Sequence, residues 1–218
     1  MDGLLRIANH AHATLPLDVL AALTLLSIAP FILVMSTSFV RIVVVLSLVR
    51  SAIGAAALPP NTVITGLALV LTLVIMSPTL TRISSDALEP YSKGVIGQSQ
   101  FIDRASRPLR AFMLRQTHAA DVELFERVAH RTPGQAAAAP FLVLIPAFVV
   151  GELRDAFAIG FALYLPFVAI DLAVASILMG LGMFMLSPPV ISLPAKLLLF
   201  VMVDGWALVC GGVVSTFR

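Results

Sequence analysis

Phe141–Leu186 reads FLVLIPAFVVGELRDAFAIGFALYLPFVAIDLAVASILMGLGMFML, and this stretch decides the fold class. It is apolar almost throughout and lacks the alternation of a half-buried strand. Backbone groups at lipid depth must find their hydrogen bonds within the segment, so helix is the default. Yet Glu152, Arg154 and Asp155 divide the run into Phe141–Val150 and Phe157–Leu186, and Asp171 interrupts the second part. A charge at the centre of a bilayer costs about 2.5–3.5 kcal/mol on insertion scales. Several such charges have to pair or face water inside an assembly. Pro166, Gly160, Gly180 and Gly182 are expected to kink these helices.

Outward from this stretch the same tension recurs. Val190–Val214 is a further apolar run that carries Lys196, Asp204 and the kink-prone Pro194. Glu152 with Lys196 is the first pair to expect, within one chain or between neighbours. For Asp155, snorkelling to water at a helix end is an equal reading. Toward the N-terminus, Val19–Val49 is broken by Pro30 and Arg41, and Arg50 ends it. Ser51–Pro60 is a connection, and Val63–Leu80 is long enough to cross a hydrocarbon core of about 30 Å. Residues 19–80 therefore predict an apolar helical hairpin, and residues 140–218 predict kinked apolar hairpins.

Between them, residues 81–139 hold eight of the fourteen Lys/Arg and six of the twelve acids, which marks the water-facing part. Phe101–Arg131 has helical spacing, with Leu109, Phe112, Met113, Leu124, Phe125 and Val128 on one side of one or two amphipathic helices. Pro133-Gly134 stops that pattern. Residues 1–18 read as a polar N-terminal segment. Asp2 and Asp18 against a single Arg6, and an apolar run too long for a signal peptide, predict a chain mature from Met1.

Composition agrees. Of 218 residues, 59% are hydrophobic and 12% charged, against about 45–50% and about 25% in a soluble domain. Lipid or other chains must cover much of the surface. The net charge of +2 has no basic stripe behind it, so no nucleic-acid partner is expected. The one cysteine, Cys210, reads as a small buried apolar residue. His10 and His12 lack further ligands at useful spacing, so neither metal nor cofactor is expected. His118 and His130 read as solvated, as do Arg110 and Arg115 on a helix face. Trp206 reads as a packing anchor. No nucleophile–base, zinc-protease or phosphate-loop motif is present, so the chain is not expected to be an enzyme.

Several long stretches resemble the FliP/SctR family of type III export-apparatus proteins, shared by the flagellum and the injectisome. They are FILVMSTSFVRI (31–42), PLRAFMLRQT (108–117), LPF (165–167) through IDL (170–172), LPAKL (193–197) and VDGW (203–206). The resemblance implies an all-α, membrane-associated fold assembling into a helical oligomer. It implies about five copies, joined by FliQ/SctS-like and FliR/SctT-like membrane subunits and by the large export-gate subunit. Such a complex passes unfolded secreted proteins across the inner membrane through a gated central channel. The resemblance puts residues 81–139 on the periplasmic side, whereas their eight basic residues would place them in the cytoplasm under the positive-inside rule. The short start without a signal favours the injectisome branch, and with it virulence.

Met179-Gly180-Leu181-Gly182-Met183-Phe184-Met185 ends a helix before Pro188-Pro189. By residue type alone, such methionines are ordinary core filler. The resemblance implies a methionine gate here, with Met179, Met183, Phe184 and Met185 at the constriction. Phe184 departs from the family's run of three methionines, and Phe is stiffer than Met. Glu152, Asp171, Lys196 and Asp204 are then the buried charges of assembly. The rival reading is a secondary transporter with discontinuous helices, in which Asp171, Lys196 and Asp204 relay ions.

Overall fold

The computed structural model describes residues 17–54, 58–132, 134 and 138–217. The expectations for residues 1–16, including His10, His12 and the absent signal, lie outside the described residues, as does Pro133. All described regular structure is helical. It comprises α1 (Leu17–Met35), α2 (Phe39–Ile53) and α3 (Asn61–Ile83). A π-helical turn (Ser84–Leu88) leads into α4 (Glu89–Ser92), followed by α5 (Gln98–Gln116) and α6 (Ala119–Val128). The last three are α7 (Phe141–Gly180), α8 (Pro188–Met202) and α9 (Gly205–Ser215).

The chain divides into two compact units, residues 1–34 and 35–218. In the first, α1 runs unbroken through Pro30. The hydroxyls of Thr24 and Ser27 donate to the carbonyls of Leu20 and Leu23, four residues back. The helix stops at Ser36-Thr37-Ser38, where side-chain oxygens compete for backbone partners. Pro30 is thus not the break expected, and neither is Arg41, which lies inside α2.

In the second unit α2 is the central helix. Val45, Leu46 and Val49 are fully buried among Ile64 and Ala68 of α3, Ala156 and Phe167 of α7, Phe200 of α8, and Val209 and Val213 of α9. Gly54, at φ +82°, ends α2 and donates its N–H to Ser51. Only one stripe of α3 is buried, Ile64, Ala68, Thr72, Met76 and Thr79, the spacing of one helix face. The Thr72 hydroxyl on that stripe donates to the Ala68 carbonyl at 2.7 Å, so it enters the core satisfied. Leu69, Val70, Leu73 and Val74 face outward.

The helix of α3 continues through the π turn to Ser92, past the composition change at residue 81. This 32-residue stretch and α7 are long and apolar enough to cross a membrane. The pair α8–α9 makes a third such element if its 63° bend is one broken span.

The predicted amphipathic region is two helices, α5 and α6. Phe112 and Met113 of α5 are buried with Met76, Leu144 and Phe148, and Leu109 packs against them. On α6 the buried residues are Asp121, Val122 and Glu126, with Phe125 partly buried beside Val122. Leu124 and Val128 face out, contrary to the predicted apolar side. The spacing spans a break at Thr117-His118, which resets the helical phase.

The largest departure is α7. Glu152, Arg154 and Asp155 do not divide it, and forty residues form one helix through Pro146 and Pro166. At 1.5 Å per residue it is about 60 Å long, twice a hydrocarbon core. Gly160 does not act as a kink. A Cβ there would lie 2.3 Å from Leu48 Cδ1, so the glycine lets α2 and α7 approach.

Candidate functional site

Three ion-pair sites are strung along α7, and each ties it to a different helix. Arg154 makes a bidentate contact with Asp121 of α6, at 2.9 and 2.6 Å. Asp121 is buried, and His118 Nδ1 lies 3.7 Å from it. Next along, Glu152 is fully buried and receives Arg41 of α2 through Nε at 2.9 Å and Nη2 at 2.6 Å. The same Nη2 reaches Asp155 at 2.8 Å, while Nη1 donates to the Thr216 hydroxyl at 3.2 Å. The guanidinium also lies 4.2 Å from the centre of the Phe217 ring, a cation–π contact that strengthens as water is excluded.

Farther along α7, Asp171 accepts from Lys196 Nζ at 2.6 Å and from the Ser192 hydroxyl, both on α8. Lys196 also donates to the Ala52 carbonyl at 3.4 Å. The ammonium therefore sits at the C-terminal end of α2, where a cation is favoured. It joins α2, α7 and α8 at one point.

The expected Glu152–Lys196 pair does not form. Glu152 bonds Arg41, and Lys196 bonds Asp171. Glu152 and Asp171 are about 29 Å apart along one helix, so one lysine cannot serve both. Arg41 was legible by the same rule that flagged Glu152, because it is a lone charge in an apolar run. Asp121 lies in polar sequence, where nothing marks it as buried. Arg154 and Asp155 both find partners rather than snorkelling free.

Asp204 departs from its expected role too. It is exposed, stands just before α9 in a left-handed conformation (φ +49°) without a capping side-chain hydrogen bond, and makes no ion pair among the described residues. Arg110 is not solvated as expected. It is half-buried, lies 4.7 Å from the Phe141 ring centre and donates to the Ala139 carbonyl. Trp206 packs edge-on to Phe200 at 5.2 Å, as a packing anchor should. Cys210 is half-buried.

The Met-rich stretch forms the tip of the α7–α8 hairpin. Helix α7 ends at Gly180, and Gly182 takes φ +74°, which L residues disfavour. Met179, Met183, Phe184 and Met185 are brought together there, and all are exposed, Phe184 at 79% and Met185 completely. Their exposure means that, among the described residues, they are not packing filler. Among the described residues no group of His, Cys, Asp and Glu is arranged to hold a metal.

The fold and these sites define an all-α membrane protein in which the long apolar helix α7 is clipped to α2, α6 and α8 by interhelical ion pairs. One hairpin leaves an uncovered apolar tip. The FliP family model matches residues 22–213, and the chain belongs to that family. It is 49% identical to the flagellar biosynthetic protein FliP of Pectobacterium carotovorum, over 94% of this chain and 80% of that one. Against the same-named protein of Caulobacter vibrioides it is 48% identical, covering 90% of this chain and 74% of that one. For Bacillus subtilis FliP the identity is 44%, over 91% and 90%.

Proposed function

We propose that the chain is a pore-forming subunit of a type III protein-export apparatus, passing unfolded proteins across the inner membrane. The observation that carries this reading is the uncovered tip. An apolar cluster at the end of a hairpin, left exposed by the described residues of its own chain, is suited to packing against copies of itself around an axis. A ring of Met183, Phe184 and Met185 side chains would form a hydrophobic constriction that stops water and ions. Unbranched, polarizable methionines would repack as a substrate chain passes.

The relatives named above are flagellar proteins, which supports the flagellar branch in place of the injectisome branch expected from the sequence. In this reading about five copies assemble with FliQ-like and FliR-like subunits beside the large export-gate subunit. Residues 81–139 lie on the periplasmic side, and Glu152, Asp171 and Lys196 keep the helices in the arrangement that assembly requires. The transporter reading is weakened by ion pairing. Asp171 and Lys196 saturate each other and bond Ser192 and Ala52.

The test is native mass spectrometry of the detergent-purified chain coexpressed with its FliQ-like and FliR-like partners. A multi-copy complex that Asp171→Asn or Lys196→Met disrupts is the expected result. A monomer that remains alone under every condition refutes the proposal. So does an Asp171→Asn chain that assembles normally but loses ion-coupled transport.

A further inference from the structure

Helices α8 and α9 meet at Val203-Asp204-Gly205 with a 63° bend, and the make-up of that joint is not that of a rigid corner. Asp204 is held left-handed at φ +49° and ψ +54°, with no side-chain capping bond to fix it there. That conformation is disfavoured for L residues, less for Asp than for Ala. Gly205 admits the Phe200 ring, since a Cβ there would stand 2.3 Å from its Cδ2 and Cε2. Residues five apart lie on different faces of a straight helix, so this contact belongs to the bent form alone.

Behind the bend is a cavity of about 190 Å³, lined by apolar residues that include Val49, Leu163, Pro166, Phe167 and Phe200, with Gly205. A cavity of about 150 Å³ takes a benzene ring, so this one has room for the ring of Phe200. That ring is now held 5.2 Å from Trp206 and 6.4 Å from Phe167. The two arms are anchored unequally. Lys196 and Ser192 clip α8 to Asp171 of α7. Helix α9 carries no charged residue, and just past its end Thr216 accepts a 3.2 Å bond from Arg41.

We propose that Val203–Gly205 is a two-position joint. In the bent position Phe200 sits on Gly205. In the extended position Asp204 turns right-handed, α8 and α9 run on as one helix, and the Phe200 ring fills the cavity. Extension relieves both the left-handed aspartate and the void, which brings the two positions close in free energy. Helix α9 is the arm that swings. Val209 and Val213 pack into the α2 core in the bent position, so that position predominates in the isolated chain. The joint is a property of one chain and holds whether or not that chain lines an export pore.

The experiment places spin labels at Val190→Cys and Ser215→Cys, both exposed sites, in the full Cys210→Ala chain in detergent micelles. Pulsed electron–electron resonance reads the distance between them. With arms of about 20 Å and about 17 Å, the extended form sets the labels about 5 Å farther apart than the 63° bend does. Asp204→Gly removes the left-handed penalty and should leave the short distance dominant. Asp204→Ala raises that penalty and should populate the long distance about tenfold more than Asp204→Gly does. Gly205→Ala, which unseats Phe200 without touching Asp204, should populate the same long distance. Leu163→Phe added to Asp204→Ala fills the cavity and should restore the short one. A short distance alone in both Asp204→Ala and Gly205→Ala overturns the proposal. So does a long component that persists undiminished when the cavity is filled.

Discussion

Arg41 carries more of the buried electrostatics than any other side chain described. It satisfies Glu152 through two N–H donors, holds Asp155, and is itself capped by Thr216 and Phe217. Arg41→Met strands Glu152 as an uncompensated buried carboxylate, and losing one partner of such a pair costs about 3–5 kcal/mol. The double change Arg41→Met/Glu152→Leu should recover most of that, because it removes both charges. Equilibrium unfolding in mixed detergent micelles measures the difference, and a double variant as unstable as the single one contradicts the account. Gly160 acts by absence. Gly160→Val should destabilise by about 1–3 kcal/mol through overpacking against Leu48, and Leu48→Ala in the same chain should relieve part of it. Asp204 behaves oppositely. Exposed and unpaired, it should tolerate Asp204→Asn within about 0.5 kcal/mol in the isolated subunit, so a defect confined to the assembled complex assigns its carboxylate to a neighbour.

At the scale of elements, the helical class and the apolar runs were legible because periodicity and hydropathy are local properties. The joins between them were not. Glu152, Arg154 and Asp155 look like an interruption within any short window, since their cost is cancelled by Arg41 and Asp121, which are remote in sequence. Pro30 reads as a break in the sequence, yet it sits inside a continuous helix, as do Pro146 and Pro166. The hairpin tip was legible as a helix end, because Gly182 and Pro188-Pro189 dictate it. Its exposure was not, since methionines read equally as core. That exposure makes a prediction at this scale. Met183→Ala with Met185→Ala should change the stability of the purified subunit by less than about 0.5 kcal/mol. Cells carrying the pair should nonetheless become permeable to small solutes, measured by dye uptake. A large loss of stability would show that the tip is packed after all.

Taken whole, the molecule leaves a great deal of apolar surface uncovered. Leu69, Val70 and Leu73 of α3, Phe157, Phe161 and Leu172 of α7, and Val201 and Met202 of α8 all face outward. More apolar area is exposed than monomeric soluble proteins tolerate, and lipid or sister chains have to cover it. Surface labelling in detergent, compared with labelling in the coexpressed complex, separates the two. Positions on α7 and α8 near the tip should become protected only in the complex, while Leu73 and Val74 should stay lipid-accessible in both. The charged residues show why sequence reading stopped short at this scale. It identified which charges had to be neutralised, but the choice of partner depends on which helices pack together.

The ion pairs also impose a schedule on the newborn chain. Arg41 precedes Glu152 by 111 residues, and Lys196 follows Asp171 by 25. At about 5–20 residues per second of synthesis, the arginine waits roughly 6–20 s for its acid, and Asp171 waits roughly 1–5 s for its lysine. During those intervals each is a lone charge on a helix leaving the ribosome. Insertion of α7 is therefore tied to helices made long before it and just after it, and the translation machinery must keep both ends of the chain within reach until the clips can close.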